Sequence, residues 1–175
     1  MKSSKVSWKS PAPSDLTFRL TLRDGEDKHI RTIAESVGIF HPAEVDVAEE
    51  LATLSIEQGA DQSGYHFVLC ERVRQIVGYT CYGQIACTKD SYDLYWIVVQ
   101  HDCRGQGIGR QLLQLTEQQI ATEGGRKLYA ETSSREPYAG TRQFYLANGY
   151  QQEAVIADFY DEGDHKLIYV KNISK

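Results

Sequence analysis

The sequence has few of the residues that bind metals or form disulfide frameworks, and their spacing excludes several classes of protein. Its four cysteines form no Cys-x-x-Cys pair, and its five histidines are scattered along the chain. We therefore expect no metal site, and reduced thiols are typical of a cytoplasmic protein. No apolar run approaches the length of a membrane span, and the first residues lack the apolar stretch of a signal peptide. These absences predict a cytoplasmic protein that is not associated with a membrane.

The sequence also has fewer basic than acidic residues. The chain holds 19 Lys and Arg residues against 24 Asp and Glu residues, which gives a net charge of -5. Nucleic-acid-binding surfaces are usually basic, so this balance argues against a nucleic-acid partner and favours a cationic or amine-bearing one. A length of 175 residues suits one domain with a substantial core. Residues 1–14 are rich in Ser, Lys and Pro, so we expect a flexible tail before a single domain over residues 15–175.

The most informative stretch lies in the middle of the chain. Leu94 to Val99 is a short apolar run of β-branched and aromatic residues, which predicts a strand buried on both faces. Three glycines follow at alternate positions, Gly105, Gly107 and Gly109, and apolar residues then recur at helical spacing. The pattern predicts a buried strand that turns through a glycine-rich loop into a helix.

Such a loop is suited to an anion. The first amides of a helix lack internal partners, that end of the helix is partly positive, and glycines let an anion approach the backbone. Arg104 and Arg110 flank the loop and could donate charge-assisted hydrogen bonds to phosphate oxygens. The loop is therefore a candidate phosphate site, although a turn that needs glycine only for its dihedral angles would look the same.

Two familiar phosphate-binding motifs fit the loop poorly. A P-loop requires Gly-Lys-Ser or Gly-Lys-Thr, whereas Gly109 is followed by Arg110 and Gln111. A dinucleotide fingerprint would find its acid at Glu131, but Arg110 occupies the third glycine position. Several predicted strands also precede the loop, which disfavours a nicotinamide-dependent oxidoreductase without excluding it.

A third motif fits better. Arg104 to Gly109 reads Arg-x-x-Gly-x-Gly, which resembles the acyl-coenzyme A signature of the GNAT N-acetyltransferase superfamily. Thr141 to Tyr150 resembles the second motif of that family, a short helix that carries Phe-Tyr and is followed by Gly-Tyr. The two motifs occur in the family's order, and the order of predicted elements is similar to the GNAT fold from about Asp15 to Lys175.

The resemblance implies an α/β (α+β) fold. Predicted strands mostly follow one another directly, so we expect a mixed, mostly antiparallel sheet of about seven strands with about four flanking helices. The sheet would be splayed between its two central parallel strands. The patterns predict a first strand at Thr17 to Arg23, a helix capped by Asp24, a helix from Pro42 to Gln58, and a strand from Gln75 to Thr88.

The resemblance also implies acetyl-coenzyme A as the cofactor. Its pantetheine would pair with the main chain of Ile97 and Val99, an amide near Val98 would stabilise the developing oxyanion, and the diphosphate would bind the loop. The residues assigned to the cofactor are Ile97, Val98, Val99, Arg104, Gly105, Gln106, Gly107, Gly109, Arg110, Ser134, Arg142, Phe144 and Tyr145.

Catalytic roles are implied in the same way. Tyr145 matches the tyrosine that donates a proton to the departing thiolate, and Asp93 is the first candidate for the general base, with Glu131 as the second. The alternatives are a core aromatic for Tyr145 and a solvated acid at the start of a strand for Asp93. The residues assigned to the acceptor substrate are Phe40, His41, Tyr82, Tyr95 and Glu131. Because alternate residues of a strand point to the same face of the sheet, Tyr95 is expected on the same face as Asp93 and Ile97.

The resulting hypothesis is an N-acetyltransferase that moves an acetyl group from acetyl-coenzyme A to a primary amine by direct attack in a ternary complex. The acceptor would be a small amine or a peptide, and the resemblance makes a homodimer possible. Two alternatives stay open: a non-catalytic module that binds or senses acyl-coenzyme A, and an NAD-type oxidoreductase.

Overall fold

The computed structural model describes residues 15–173, which form seven strands and five α-helices. The tail predicted for residues 1–14 lies outside this range. The strands are β1 (Leu16–Arg19), β2 (His66–Arg72), β3 (Gln75–Gln84), β4 (Ser91–Val99), β5 (Lys127–Ser133), β6 (Gln151–Asp161) and β7 (Asp164–Asn172). The α-helices are α1 (Asp27–Val37), α2 (Pro42–Gln58), α3 (Ala60–Ser63), α4 (Ile108–Thr122) and α5 (Ala139–Ala147).

The strands form one seven-stranded sheet in the order β1-β2-β3-β4-β5-β7-β6. Within it β4 and β5 pair in parallel, whereas the other neighbours are antiparallel. The parallel register runs only from Ser91 opposite Lys127 to Leu94 opposite Ala130. Beyond that point the two strands have no paired residues, so the sheet opens between Val99 and Ser133. The predicted mixed sheet, with its splay at the two central parallel strands, is confirmed.

Two apolar layers cover the two faces of the sheet. Buried residues of α1 recur every three to four positions, as Ile30, Ile33 and Val37, and they pack with α2 against one face. On the other face Leu112 and Ile120 of α4 pack against the sheet together with α5. Because each helix buries only one stripe, the polar residues between those positions remain outside. None of the helices in the described residues is long and apolar enough to cross a membrane.

Several predicted boundaries are wrong, and local hydrogen bonds explain the differences. Strand β1 ends at Arg19 rather than Arg23, and α1 begins after Glu26 instead of Asp24. The Glu26 carboxylate accepts from the Arg23 amide at 2.7 Å and from Arg19 Nη2 at 2.6 Å, which closes a turn ahead of the helix. Strand β3 ends at Gln84, since a turn occupies residues 85–90. The single-turn helix α3 lacks a predicted counterpart.

A β-bulge in β4 decides which side chains reach each face. The register between β3 and β4 skips Tyr95, so one extra residue stands in β4. Before the bulge, Leu94 packs on the α4 side of the sheet. After it, Val98 packs on the α1 side and Ile97 on the α4 side. The predicted parity that grouped Asp93 with Ile97 is therefore wrong, because the bulge inverts it.

Candidate active site

Two cavities meet where β4 and β5 separate. The first, which we call the loop groove, has a volume of about 540 Å³ and is lined by the end of β4, the glycine loop, the start of α4 and α5. The second, which we call the acidic cleft, has a volume of about 680 Å³ and is bounded by α2, β4, β5 and the hairpin of β6 and β7. Four residues line both cavities: Ile39, Phe40, Ile97 and Thr141.

The glycine loop leaves open space in front of the first turn of α4. Gly105 and Gly107 adopt left-handed φ angles of 73° and 79°, a conformation that favours glycine. A Cβ atom on Gly105 would meet nothing within 4 Å, and one on Gly107 would meet only the Gln111 side chain at 3.9 Å. Gly107 is the N-cap of α4, and no side chain caps the helix there. The amide donors of the first turn thus face a cavity, as an anion site requires.

Side chains fix the loop from behind. Arg104 donates through Nε to the Val99 carbonyl at 3.3 Å, which ties the loop to β4. Arg72 at the end of β2 donates through Nη2 to Gln106 Oε1 at 2.7 Å, and Gln106 donates in turn to the Asp102 carbonyl at 3.4 Å. No sequence signal connected Arg72 to the loop, because 34 residues separate it from Gln106. Gln106 thus supports the loop, while Arg104 and Arg110 both line the groove.

The main chain of β4 presents alternate residues to the opening. The Gln100 amide donates to the Val77 carbonyl on β3 at 2.8 Å. Because an antiparallel ladder alternates, Val98 also directs its N–H to β3, whereas Ile97 and Val99 direct theirs to the gap. The amide near Val98 that is expected to stabilise the oxyanion would therefore be that of Ile97 or Val99, because the N–H of Val98 itself points to β3 and its side chain is buried.

Three residues assigned to the cofactor lie outside both cavity linings: Gln106, whose support of the loop is described above, Arg142 and Ser134. Arg142 donates through Nη1 to the Ser133 carbonyl at 3.0 Å and to the Arg135 carbonyl at 2.8 Å. The Ser134 hydroxyl accepts from the His165 amide at 2.9 Å. Both side chains stabilise the segment that leaves β5, and a direct contact of Arg142 or Ser134 with the cofactor stays a prediction.

Tyr145 lies at the base of the acidic cleft. Its side chain is buried, with a ring centroid 5.5 Å from Tyr150 and 5.6 Å from Tyr169. Burial raises the pKa of the phenol well above its usual value near 10, so the hydroxyl stays protonated at neutral pH. The neighbouring Phe144 lines the loop groove instead. Successive residues of α5 therefore line the two cavities: Phe144 lines the loop groove, and the protonated Tyr145 lines the acidic cleft.

Asp93 is half-buried in the wall of the same cleft. Burial raises its pKa, the nearby charge of Glu131 raises it further, and Lys166 opposes both. Lys166 Nζ lies 2.6 Å from Glu131 Oε2. The Asp93 carboxylate has no ion pair within residues 15–173. It is thus a carboxylate with a raised pKa, unpaired and beside a cavity, which is the usual setting of a general base.

Aromatic side chains form much of the remaining wall. Phe40 packs edge-on against Trp96 with centroids 5.1 Å apart, and Tyr95 packs edge-on against Tyr65 at 5.6 Å. Tyr95 is 38% exposed and lines the cleft. His41 also lines it, although its Nδ1 accepts from the Ala43 amide at 3.3 Å as the cap of α2. The structure thus brings Phe40, His41 and Tyr95 to one cavity.

Tyr82 lies elsewhere, which corrects its assignment to the acceptor site. Its side chain is buried on the α4 side of the sheet, and its hydroxyl donates to Glu123 at 3.4 Å. The alternation of β3 is the reason: Cys81 faces α1 and α2, so Tyr82 faces away from them.

Other residues of the cleft carried no sequence signal. Thr132 is buried, its Oγ1 has no hydrogen-bond partner among residues 15–173, and it belongs to the lining. Tyr138, Tyr160 and Arg135 reach the cleft from segments that only the fold brings together. In the part of the chain that the structure describes, no group of three or more His, Cys, Asp or Glu residues could hold a metal ion.

Comparisons with known proteins agree with this geometry. The family model of the acetyltransferase (GNAT) domain matches residues 62–152. A crystal structure from Desulfovibrio desulfuricans, of a protein assigned to the GNAT family of acetyltransferases, shares 40% sequence identity and superposes with a TM-score of 0.88. That match covers 91% of this chain and 99% of the other. A comparison with curated protein sequences gives no match.

More distant solved structures share the fold. The ribosomal-protein-S18-alanine N-acetyltransferase of Escherichia coli superposes with a TM-score of 0.72 at 17% identity, covering 91% of this chain and 95% of that one. An aminoglycoside 6'-N-acetyltransferase complexed with coenzyme A superposes with a TM-score of 0.67 at 16% identity. That match covers 90% of this chain and 98% of the other. At these identities the similarity concerns the fold alone.

Proposed function

The chain belongs to the GNAT family of acetyltransferases, and on that premise we propose that it transfers an acetyl group from acetyl-coenzyme A to a primary amine. The observation that carries the proposal is the meeting of the loop groove and the acidic cleft at Ile97 and Thr141. A thioester held in one cavity and an amine held in the other would lie side by side. Direct attack in a ternary complex follows from that arrangement.

The loop groove fits acetyl-coenzyme A, which supplies the acetyl group as an activated thioester. Its diphosphate would accept hydrogen bonds from the amides at the start of α4, between Gly107 and Arg110. Arg104 and Arg110 would add their charge from the two sides of the loop. The gap-facing main chain of Ile97 and Val99 would pair with the pantetheine amides, as an added strand does.

The chemistry requires a base and an acid, and the cleft offers one of each. Asp93 would remove the proton of the attacking amine, and Tyr145 would donate a proton to the departing sulfur. We assign the polarisation of the thioester carbonyl to the gap-facing amides of Ile97 and Val99, since the Val98 amide faces β3.

Release of free thiol from acetyl-coenzyme A, measured over a panel of amines, amino acids and peptides, tests this proposal. We expect release that depends on both the enzyme and a primary amine, with the N-acetylated product identified by mass spectrometry. Binding of acetyl-coenzyme A with no release from any amine would favour a sensing module. Binding of a nicotinamide dinucleotide in place of acetyl-coenzyme A would favour an oxidoreductase.

The pH dependence of kcat/KM reports on Asp93. A general base must be ionised, so activity should fall on the acid side as Asp93 becomes protonated. Glu131→Gln removes a negative neighbour that raises the pKa of Asp93, so the acid limb should move to lower pH. Lys166→Gln removes the cation that lowers this pKa, so the limb should move to higher pH. The measurement is kcat/KM at pH values from about 4 to about 9.

Asp93→Asn is the control for this assignment. It should lower kcat by about 100-fold and remove the acid limb. An unchanged limb in Asp93→Asn, or shifts of the same sign in Glu131→Gln and Lys166→Gln, would exclude Asp93 as the base.

Arg72 should act through the loop. Arg72→Met removes the charged hydrogen bond to Gln106, and we expect KM for acetyl-coenzyme A to rise by about tenfold with little change in kcat. Arg74→Met is the matched control, because Arg74 is exposed in the next turn. Steady-state kinetics with varied acetyl-coenzyme A distinguish the two, and equal KM values would show that Arg72 does not support the cofactor site.

A further inference from the structure

The walls of the acidic cleft carry more negative charge than the protein neutralises. Its carboxylates come from five elements and surround the cavity from different sides; they are Glu44, Asp93, Glu131, Asp161 and Asp164. The lining contributes one permanent cation, Arg135, and Lys166 lies beside it. His41 also lines the cleft, where its Nδ1 accepts from the Ala43 amide and caps α2.

Both cations are already paired. Arg135 Nε lies 3.1 Å from Asp164 Oδ2, and Lys166 Nζ lies 2.6 Å from Glu131 Oε2. Glu44 and Asp161 accept only main-chain amides, from His41 at 2.7 Å and from Glu162 at 2.8 Å, and neither has an ion pair within residues 15–173. Together with Asp93, three carboxylates are therefore left without a cation.

The carboxylates of the cleft are close enough to one another to affect the same side chains. Burial raises the pKa of Tyr160 to about 12, and the carboxylates of Glu131, Asp164 and Glu44 each contribute to the increase. The same Glu131 carboxylate raises the pKa of Asp93. Carboxylates from α2, β4, β5 and β7 thus converge on the same cavity.

Aromatic faces and an unpartnered hydroxyl complete a site for ammonium groups. Rings of the cleft already attract cations: Arg135 lies 5.9 Å from the centroid of Tyr138, and Lys166 lies 5.9 Å from that of Tyr160. Thr132 adds a buried Oγ1 that has no partner in the described part of the chain. A buried polar atom of this kind normally has a partner, which a bound ligand would supply.

Resting on the proposed acetyltransferase function, we propose that the acceptor is an aliphatic amine that carries at least one further ammonium group, such as a diamine or polyamine. The amine to be acetylated loses its proton to Asp93 before it attacks. The second ammonium keeps its charge and pairs with Glu44 and Asp161 across the cleft. The carbon–sulfur bond of the thioester breaks as the nitrogen–carbon bond forms, and Tyr145 protonates the departing sulfur. The second proton of the acetylated nitrogen returns to Tyr145, and Asp93 releases the first proton to solvent, so one proton is released in each turnover. Acetylation removes one positive charge, so the product binds the cleft more weakly than the substrate.

Three amines of equal chain length test this proposal: cadaverine, n-pentylamine and delta-aminovalerate. They carry a second ammonium, a methyl group and a carboxylate at the far end, respectively. We expect kcat/KM for cadaverine to exceed that for pentylamine by at least about tenfold, with aminovalerate lower still. The advantage of cadaverine should shrink as salt is added, because salt screens charges at a partly open site.

Variants that remove one negative charge each show which carboxylates cause the preference for cadaverine. Glu44→Gln and Asp161→Asn keep the local main-chain hydrogen bonds, and each should reduce the ratio of cadaverine to pentylamine turnover by about threefold or more. Glu50→Gln is the matched control, since Glu50 is exposed on the same helix and does not line the cleft. It should leave the ratio unchanged.

The outcomes separate the two proposals. Equal use of the three amines, or a preference for aminovalerate, would overturn the second-ammonium requirement while leaving the acetyltransferase function intact. No acetylation of any amine by a protein that binds acetyl-coenzyme A in calorimetry would instead overturn the function itself. An unchanged ratio in both Glu44→Gln and Asp161→Asn would also contradict the proposal.

Discussion

Gly107→Glu should abolish the binding of acetyl-coenzyme A, raising its Kd by at least about 100-fold. Gly107 caps α4 at a φ angle of 79°, and open space lies in front of it. A glutamate there would bring a negative charge to the position proposed for the diphosphate. It would also force a residue with a Cβ into the left-handed region, which costs about 1–2 kcal/mol. Isothermal titration calorimetry with acetyl-coenzyme A measures the effect.

Gly124→Glu is the matched control at the opposite end of the same helix. Gly124 has a φ angle of 87° and also lies in open space, so the substitution imposes the same strain and the same charge. The temperature of thermal unfolding should fall by a similar amount in both variants, and only Gly107→Glu should fail to bind acetyl-coenzyme A. Equal Kd values for the two variants would show that the loop is merely a turn between β4 and α4.

Tyr145→Phe should lower kcat by about 100- to 1,000-fold while leaving the Kd of acetyl-coenzyme A near its wild-type value. The substitution removes the proton donor proposed for the departing sulfur and keeps the aromatic ring that packs against Tyr150 and Tyr169. Because burial holds the pKa of the phenol high, wild-type Tyr145 is protonated throughout the neutral range. The loss should therefore be present at every pH from about 6 to 9.

Tyr169→Phe controls for the loss of a buried hydroxyl in the same cluster. Its hydroxyl makes one long contact, 3.5 Å to Gln152, and the residue does not line either cavity. Its kcat should stay within about threefold of the wild-type value. If Tyr145→Phe and Tyr169→Phe retain similar activity, Tyr145 is a core aromatic residue and another group protonates the sulfur.

Local sequence patterns are sufficient to predict much of the fold. Pro42 in the first turn and Gly59 after the last one marked α2, and the structure places the helix at Pro42–Gln58. The strand, loop and helix around Gly107 were predicted from apolar periodicity and three glycines. These features depend on neighbours within a few residues, so the sequence displays them directly.

Features that depend on distant partners could not be predicted in this way. The bulge at Tyr95 follows from the pairing of two strands, and it changes the facing of every later residue in β4. Tyr82 has the same residue type as Tyr95 but faces α4, because alternation along β3 places it there. The hydrogen bond of Arg72 to Gln106 joins the end of β2 to the loop. Nothing in the neighbourhood of these residues signals their contacts.

The negative charge of the cleft is a second property that arises only on folding. A net charge of -5 favoured a cationic partner but did not locate it. Glu44 and Asp161 are 117 positions apart in the sequence, and the fold places both in the lining of one cavity. A local motif thus predicts the kind of cofactor, whereas the proposal for the acceptor depends on residues that only the fold brings together.

A crystal structure of the protein with coenzyme A tests the central claim most directly. The account predicts that the diphosphate accepts hydrogen bonds from the main-chain amides between Gly107 and Arg110. It further predicts that the pantetheine lies between β4 and β5 and pairs with Ile97 and Val99. A diphosphate bound away from this loop, or a pantetheine that leaves the gap between β4 and β5 empty, would contradict it.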